Sequence, residues 1–175
     1  MAKLRKMLGD IQSEECIALM RLMETQSKRT LSEWAVDFAE SSYLPILEAE
    51  ISDADPFVQA IAMCRNYWEG STAAKDVKAA VRQVTQLARE LEENPIGQAA
   101  ARAVATACAA WQTPTSALGF LFYGAAAAAY HHAGLDEKIE IYQALAQEEL
   151  QRALESLRQA AILDEPNPAK IEWNC

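Results

Sequence analysis

The chain has 175 residues, with 25 acids against 16 bases for a formal net charge of −9, and 51% of it is hydrophobic. That length fits one domain around one core. The apolar fraction excludes an extended disordered chain, and the acidity disfavours an ordinary nucleic-acid binder, which needs a basic patch for phosphates.

Composition already points to helices: 34 alanines stand against six glycines and six prolines, so good helix formers are abundant and strand punctuation is scarce. Ser13, followed by Glu14 and Glu15, predicts an N-cap and a first helix over about 14–27. Thr30 or Ser32 caps a second, with Leu31, Trp34, Ala35 and Phe38 on one face and Glu33, Asp37 and Glu40 on the other. Pro45 removes a backbone donor, which predicts a kink or break before this segment ends near Ile51. A third helix starts with Asp55 as N-cap and Pro56 at the first helical position, and stops at Gly70. A fourth runs from Ser71 or Thr72 to about Glu93, ahead of the Asn94-Pro95 break.

The fifth helix, about 96–112, and the sixth, ending at Gly134, are rich in alanine. Small side chains let neighbouring helices approach closely, which places this pair at the centre of the bundle. Asp136 caps a last amphipathic helix over about 137–163. The expectation is an all-α, single-domain bundle of six to seven helices over 1–163. The tail, 164–175, either packs through Ile171 and Trp173 or hangs free.

Little catalytic chemistry is written into these residues. His131 and His132 are adjacent and point about 100° apart on a helix, and no Glu-x-x-His occurs, so no metal site is expected. No glycine pattern makes a nucleotide loop, no serine sits in a nucleophile motif, and no cofactor is expected. Cys16, Cys64 and Cys108 read as small core residues and Cys175 as an exposed thiol. The basic N-terminus lacks the apolar run of a signal peptide, and the densest apolar stretch, 117–130, is too short for a bilayer. Together these fit a reducing cytoplasm, with no membrane and no nucleic acid as partner.

One segment stands out. Between Thr30 and Arg65 lie seven acids, Glu33, Asp37, Glu40, Glu48, Glu50, Asp53 and Asp55, and no base. Either these are a solvated helix face, or they form a patch that attracts a cationic partner, or they hold a divalent cation through carboxylates alone, which the lack of a tight Asp-rich loop around Glu33, Asp37 and Glu40 disfavours. A rival reading is a small-molecule or catalytic pocket between the Ala-rich helices, with Tyr123, Tyr130 and His131 as its polar groups. A homo-oligomer that buries the acidic helix is a third.

The stretch Trp34-Ala-Val-Asp-Phe-Ala-Glu40 with Leu-Pro-Ile-Leu at 44–47 resembles the opening of a helical bacterial immunity-protein family of the polymorphic-toxin systems. Gln59-Ala-Ile-Ala-Met-Cys-Arg-Asn-Tyr-Trp-Glu-Gly70 is similar to one of its helix ends. Residues 99–107 and 115–119 are similar to its Ala-rich helix pair. The family pattern has histidines in that pair, where this chain has Cys108 and Ser116, so no role of those histidines carries over. The resemblance implies a non-enzymatic protein that binds and neutralises a cognate toxin. The acidic segment would then dock on a basic toxin surface.

Overall fold

Ser13 accepts a hydrogen bond from the backbone N–H of Cys16 and starts α1 (Glu14–Met23), as its capping pattern predicts. In this computed structural model, which describes residues 3–174, the chain then passes through a short turn into α2 (Lys28–Ser42). The cap of α2 is Ser27, not Thr30 or Ser32; its hydroxyl accepts from the Thr30 N–H, and Ser32 is buried under Trp68, whose indole N–H donates to it at 3.0 Å.

The break expected at Pro45 is complete. α2 ends at Ser42, Tyr43 is the hinge, and Pro45 sits in the first turn of a separate helix, α3 (Leu44–Glu50), where its missing N–H has no helical partner to lose. This division gives eight α-helices among the described residues, one more than the upper end of the sequence expectation. No strand occurs among them.

α4 (Asp55–Trp68) begins after Ala54, so Asp55 lies in the first turn rather than at the cap; the side chain of Asp53 accepts the Asp55 N–H at 3.1 Å instead. It closes at Gly70 (φ +84°), with Ser71 N–H on Asn66 C=O at 2.9 Å and Gly70 N–H on Tyr67 C=O at 3.0 Å. That pair of bonds is a Schellman closure, which needs a left-handed residue and so favours glycine.

α5 (Ala74–Arg89) starts later and stops earlier than its sequence signals indicate, and of its residues only Val77, Val84 and Ala88 are fully buried. Asn94 caps α6 (Pro95–Cys108) through the Gly97 N–H at 2.9 Å, and a 3-10 turn over 109–111 finishes the segment that the sequence reads as one helix to 112. α7 (Ser116–Ala133) follows, then α8 (Ile139–Ala160), which begins after Lys138 rather than at an Asp136 cap.

α6 is the hub. It packs most extensively on α7 and also touches α2, α3, α4 and α5, while α7 hands on to α8 and α8 to α1. Nine of the 14 residues of α6 are buried, seven of them Gly or Ala, which is the close helix approach that the alanine content predicts. Larger side chains fill the space between α2, α3 and α7: Trp34, Phe38, Tyr43 and Phe120 pack at ring separations of 5.6–6.2 Å, mostly edge to face.

Residues 164–174 lie in extended and turn conformation across the α1–α2 junction. Ala169 N–H donates to Gln26 C=O at 2.8 Å, Trp173 Nε1 donates to Glu24 at 2.8 Å, and Ile171 and Trp173 pack on the core. The buried Gln26 side chain spans both polar groups of Ile162, accepting its N–H at 2.8 Å and donating to its C=O at 3.1 Å. Cys175 lies outside the described residues.

Candidate functional site

The seven acids of the base-free segment fall on α2, on α3, in the turn after it and in the first turn of α4, and the fold treats them unequally. Arg29, one turn before Glu33 on α2, pairs with it at 2.9 Å. Arg65, on α4, reaches across to α2: its guanidinium donates to both carboxylate oxygens of Glu40 at 2.9 Å and to Asp37 at 2.6 Å. The hydrogen bond from Arg65 holds the Glu40 carboxyl below the usual carboxylate range, against a smaller opposing push from burial, and the same contact raises Arg65 further.

The segment that is free of bases in sequence is therefore not free of them in space. Three of its acids are neutralised from its two borders because α4 lies along α2. What remains is a smaller set at the α3–α4 turn: Glu48, Asp53 and Asp55 are exposed and Glu50 is half-buried. None of these four has an ion pair among the described residues.

The pocket anticipated between the Ala-rich helices takes another form. Alanine methyls close the α6–α7 interface, and the large cavity, about 850 Å³, opens at its end, between the start of α6, the α7–α8 loop and the N-terminal segment. Of the three residues named for the pocket, only Tyr130 lines it, and its hydroxyl is already committed to Arg5 C=O at 2.6 Å. Burial pushes the Tyr130 phenol above its ordinary range. Tyr123 is half-buried and His131 exposed, both off the lining.

The cleft instead presents Lys3, Arg5, Lys6 and Arg102. Read along the sequence, Lys3, Arg5 and Lys6 are only a basic N-terminus and Arg102 passes unnoticed, although it is the single charged residue in α6.

Cys16, Cys64 and Cys108 are buried, as small core residues should be. Cys64 donates to Cys108 C=O at 3.4 Å, and a side-chain hydrogen bond with the Cys64 thiol together with burial raises the Cys108 thiol well above its ordinary value, the opposite of an activated nucleophile. Among the described residues no group of three or more His, Cys, Asp or Glu side chains converges to hold a metal ion. No helix of the described residues is long and apolar enough to cross a membrane.

Comparison with known families gives one match, over residues 21–160, to a family described as Imm-5 like putative immunity protein. Comparisons with curated proteins and with solved structures give no match.

Proposed function

Because the chain belongs to the Imm-5 like immunity protein family, we propose that it binds a protein toxin and neutralises it by covering a surface of that toxin, without catalysis. The observation that carries the reading is the family match, which spans every helix from α2 to α8. The acids at the α3–α4 turn supply a docking surface: Glu48, Glu50, Asp53 and Asp55 are unpaired, whereas Glu33, Asp37 and Glu40 already have arginine partners. Unpaired carboxylates facing a basic toxin surface would steer encounter, so their effect falls chiefly on the association rate and weakens with salt.

Co-expression with a toxin captured on this chain from its native host tests the function: growth is restored if the two proteins pair, and continued killing despite soluble expression of both overturns the reading. The surface is tested on that pair. Neutralising Glu48, Glu50, Asp53 and Asp55 to Gln or Asn slows association at low salt by about tenfold, while the same change at Glu33, Asp37 and Glu40 slows it less. An unchanged rate in the first variant removes the turn as the docking surface and leaves the function standing.

A further inference from the structure

We propose that the cleft at the start of α6 is a binding site for a small amphipathic organic anion, with a phosphate, sulfonate or carboxylate head and an apolar or aromatic body.

The argument starts from Arg102. Arg102 is a half-buried residue lining the cleft, and its guanidinium has neither an ion pair nor a hydrogen bond to any described residue, whereas Arg29, Arg65, Arg152 and Arg158 each hold a carboxylate. A guanidinium cannot shed its proton, so partial burial without a partner is unfavourable until a planar anion supplies one, and its fork matches phosphate and carboxylate. In a protein of net charge −9, three further cations, Lys3, Arg5 and Lys6, gather at the same cleft.

Their segment is fastened rather than trailing. Tyr130 donates its hydroxyl to Arg5 C=O at 2.6 Å, and Leu8 N–H donates to Phe122 C=O at 3.1 Å. The basic strip is thereby held as a wall of the cleft.

Other parts of the lining are apolar. Leu135 and Ile139, large hydrophobics left about two-fifths exposed, lie there with Tyr142. Tyr142 has no donor to spare for an anion, because its hydroxyl donates to Gly134 C=O at 2.6 Å while accepting the Glu137 N–H at 3.0 Å. Its ring is buried edge to face against Tyr130, so the exposed apolar surface of the cleft comes from Leu135 and Ile139. A volume of about 850 Å³ lies in the range of small-ligand sites. Glu92, Asp136 and Glu137 also line the cleft, which penalises a chain acidic along its whole length and favours one anionic head on an uncharged body.

The test uses the whole chain and 8-anilinonaphthalene-1-sulfonate, an aromatic sulfonate that fluoresces when desolvated, beside the uncharged N-phenyl-1-naphthylamine. The expected result is saturable sulfonate binding at one site, weakened about tenfold by Arg102→Gln, with the uncharged probe unaffected by that change. If Arg102→Gln does not fold, Lys3→Gln/Lys6→Gln at exposed positions replaces it, and binding of the sulfonate to the unaltered chain falls as salt rises from about 50 to 500 mM. Equal binding of both probes, or sulfonate affinity indifferent to these substitutions and to salt, overturns the site. Displacement of the sulfonate by adenosine monophosphate assigns a phosphate head and displacement by octanoate a carboxylate; displacement by neither overturns the proposal.

Discussion

The ring of Tyr43 lies against the backbone of Gly124, so close that a Cβ built on Gly124 would stand 2.1 Å from Tyr43 Cζ and 2.5 Å from its hydroxyl oxygen. Tyr43 is the hinge between α2 and α3 and is fully buried beside Phe38 and Phe120, so its ring has nowhere to retreat. Alanine would ordinarily strengthen α7 at this position by up to about 1 kcal/mol. Here the clash wins: Gly124→Ala should destabilise the fold by about 1–3 kcal/mol, read as a lowered denaturation midpoint. A raised midpoint would show that α7 moves off α3 freely.

The Tyr43 hydroxyl is buried and finds no hydrogen-bond partner among the described residues. Burial pushes its phenol well above the ordinary range, with Glu149 adding to the push. Leaving such a group unsatisfied costs about 1–3 kcal/mol, so Tyr43→Phe should match or exceed the parent in thermal stability. A loss of more than about 1 kcal/mol would reveal a partner for that oxygen.

Arg65 sets a pH signature. Because its hydrogen bond lowers the folded-state pKa of Glu40, the stabilisation is present above the unfolded carboxylate value, about 4.3. It is lost as pH falls through the lowered folded value. The three side chains keep 35%, 65% and 41% of their exposure for Arg65, Asp37 and Glu40, so solvent screening limits the effect to about 1 kcal/mol. Arg65→Gln should therefore cost about that much at pH 7, part of it from Asp37 and Glu40 repelling one turn apart on α2. The gap closes toward pH 3, and urea denaturation across that range reads it. A gap that persists undiminished in acid would assign the loss to packing instead.

Glu149 predicts the opposite slope. Burial raises its carboxyl, and Arg152, paired at 2.5 Å, pulls it only part of the way back. A raised folded value means that the folded state holds the proton more tightly, so stability falls as pH rises between the unfolded and folded values. Glu149→Gln removes that dependence, and its stability relative to the parent should increase with pH across the same window. Arg152 keeps Ser42 at 2.9 Å and the Phe38 ring at 4.6 Å in the variant. A relative stability that falls with pH would contradict the assignment.

The C-terminal segment caps a helix from a distance. Glu165 accepts the backbone N–H of Ser27 and, at 2.5 Å, the Thr30 hydroxyl, placing a carboxylate at the N-terminus of α2. Burial pushes this carboxyl up, but the hydrogen bonds from Ser27 and Thr30 together outweigh it and leave it lowered. Glu165→Gln should cost about 0.5–1 kcal/mol near neutral pH, an effect lost as pH falls through the lowered folded value. Amide hydrogen exchange in the first turn of α2 is the local readout, and unchanged protection there would dismiss the cap.

What the sequence discloses is whatever is periodic or punctuated locally. The amphipathic face of α8, the break at Pro45, the glycine stop at Gly70 and the central Ala-rich pair are all of that kind. The cap of α2 is not: the sequence pattern points to Thr30 or Ser32, whereas Glu165, more than 130 residues away, accepts the Ser27 N–H and fixes the turn in which Ser27 is the cap. The acidic segment misleads for the same reason: Arg65 neutralises residues 25 and 28 positions earlier, and no window along the chain contains that pairing. The cleft is assembled from three stretches distant in sequence, so its local traces, a basic run at 3–6 and one arginine among alanines, do not point to each other.

Those alanines carry a consequence of their own. An alanine side chain has no alternative rotamer, so the seam between α6 and α7 cannot absorb a disturbance by reshuffling side chains as a leucine-filled core can. A push at one end, whether from a partner at the α3–α4 turn or from an occupant of the cleft at the start of α6, has to be met by α6 and α7 moving together as a single rod. The two surfaces lie on elements that both pack on α6, which makes the stiffness of that seam the quantity that decides whether they sense each other.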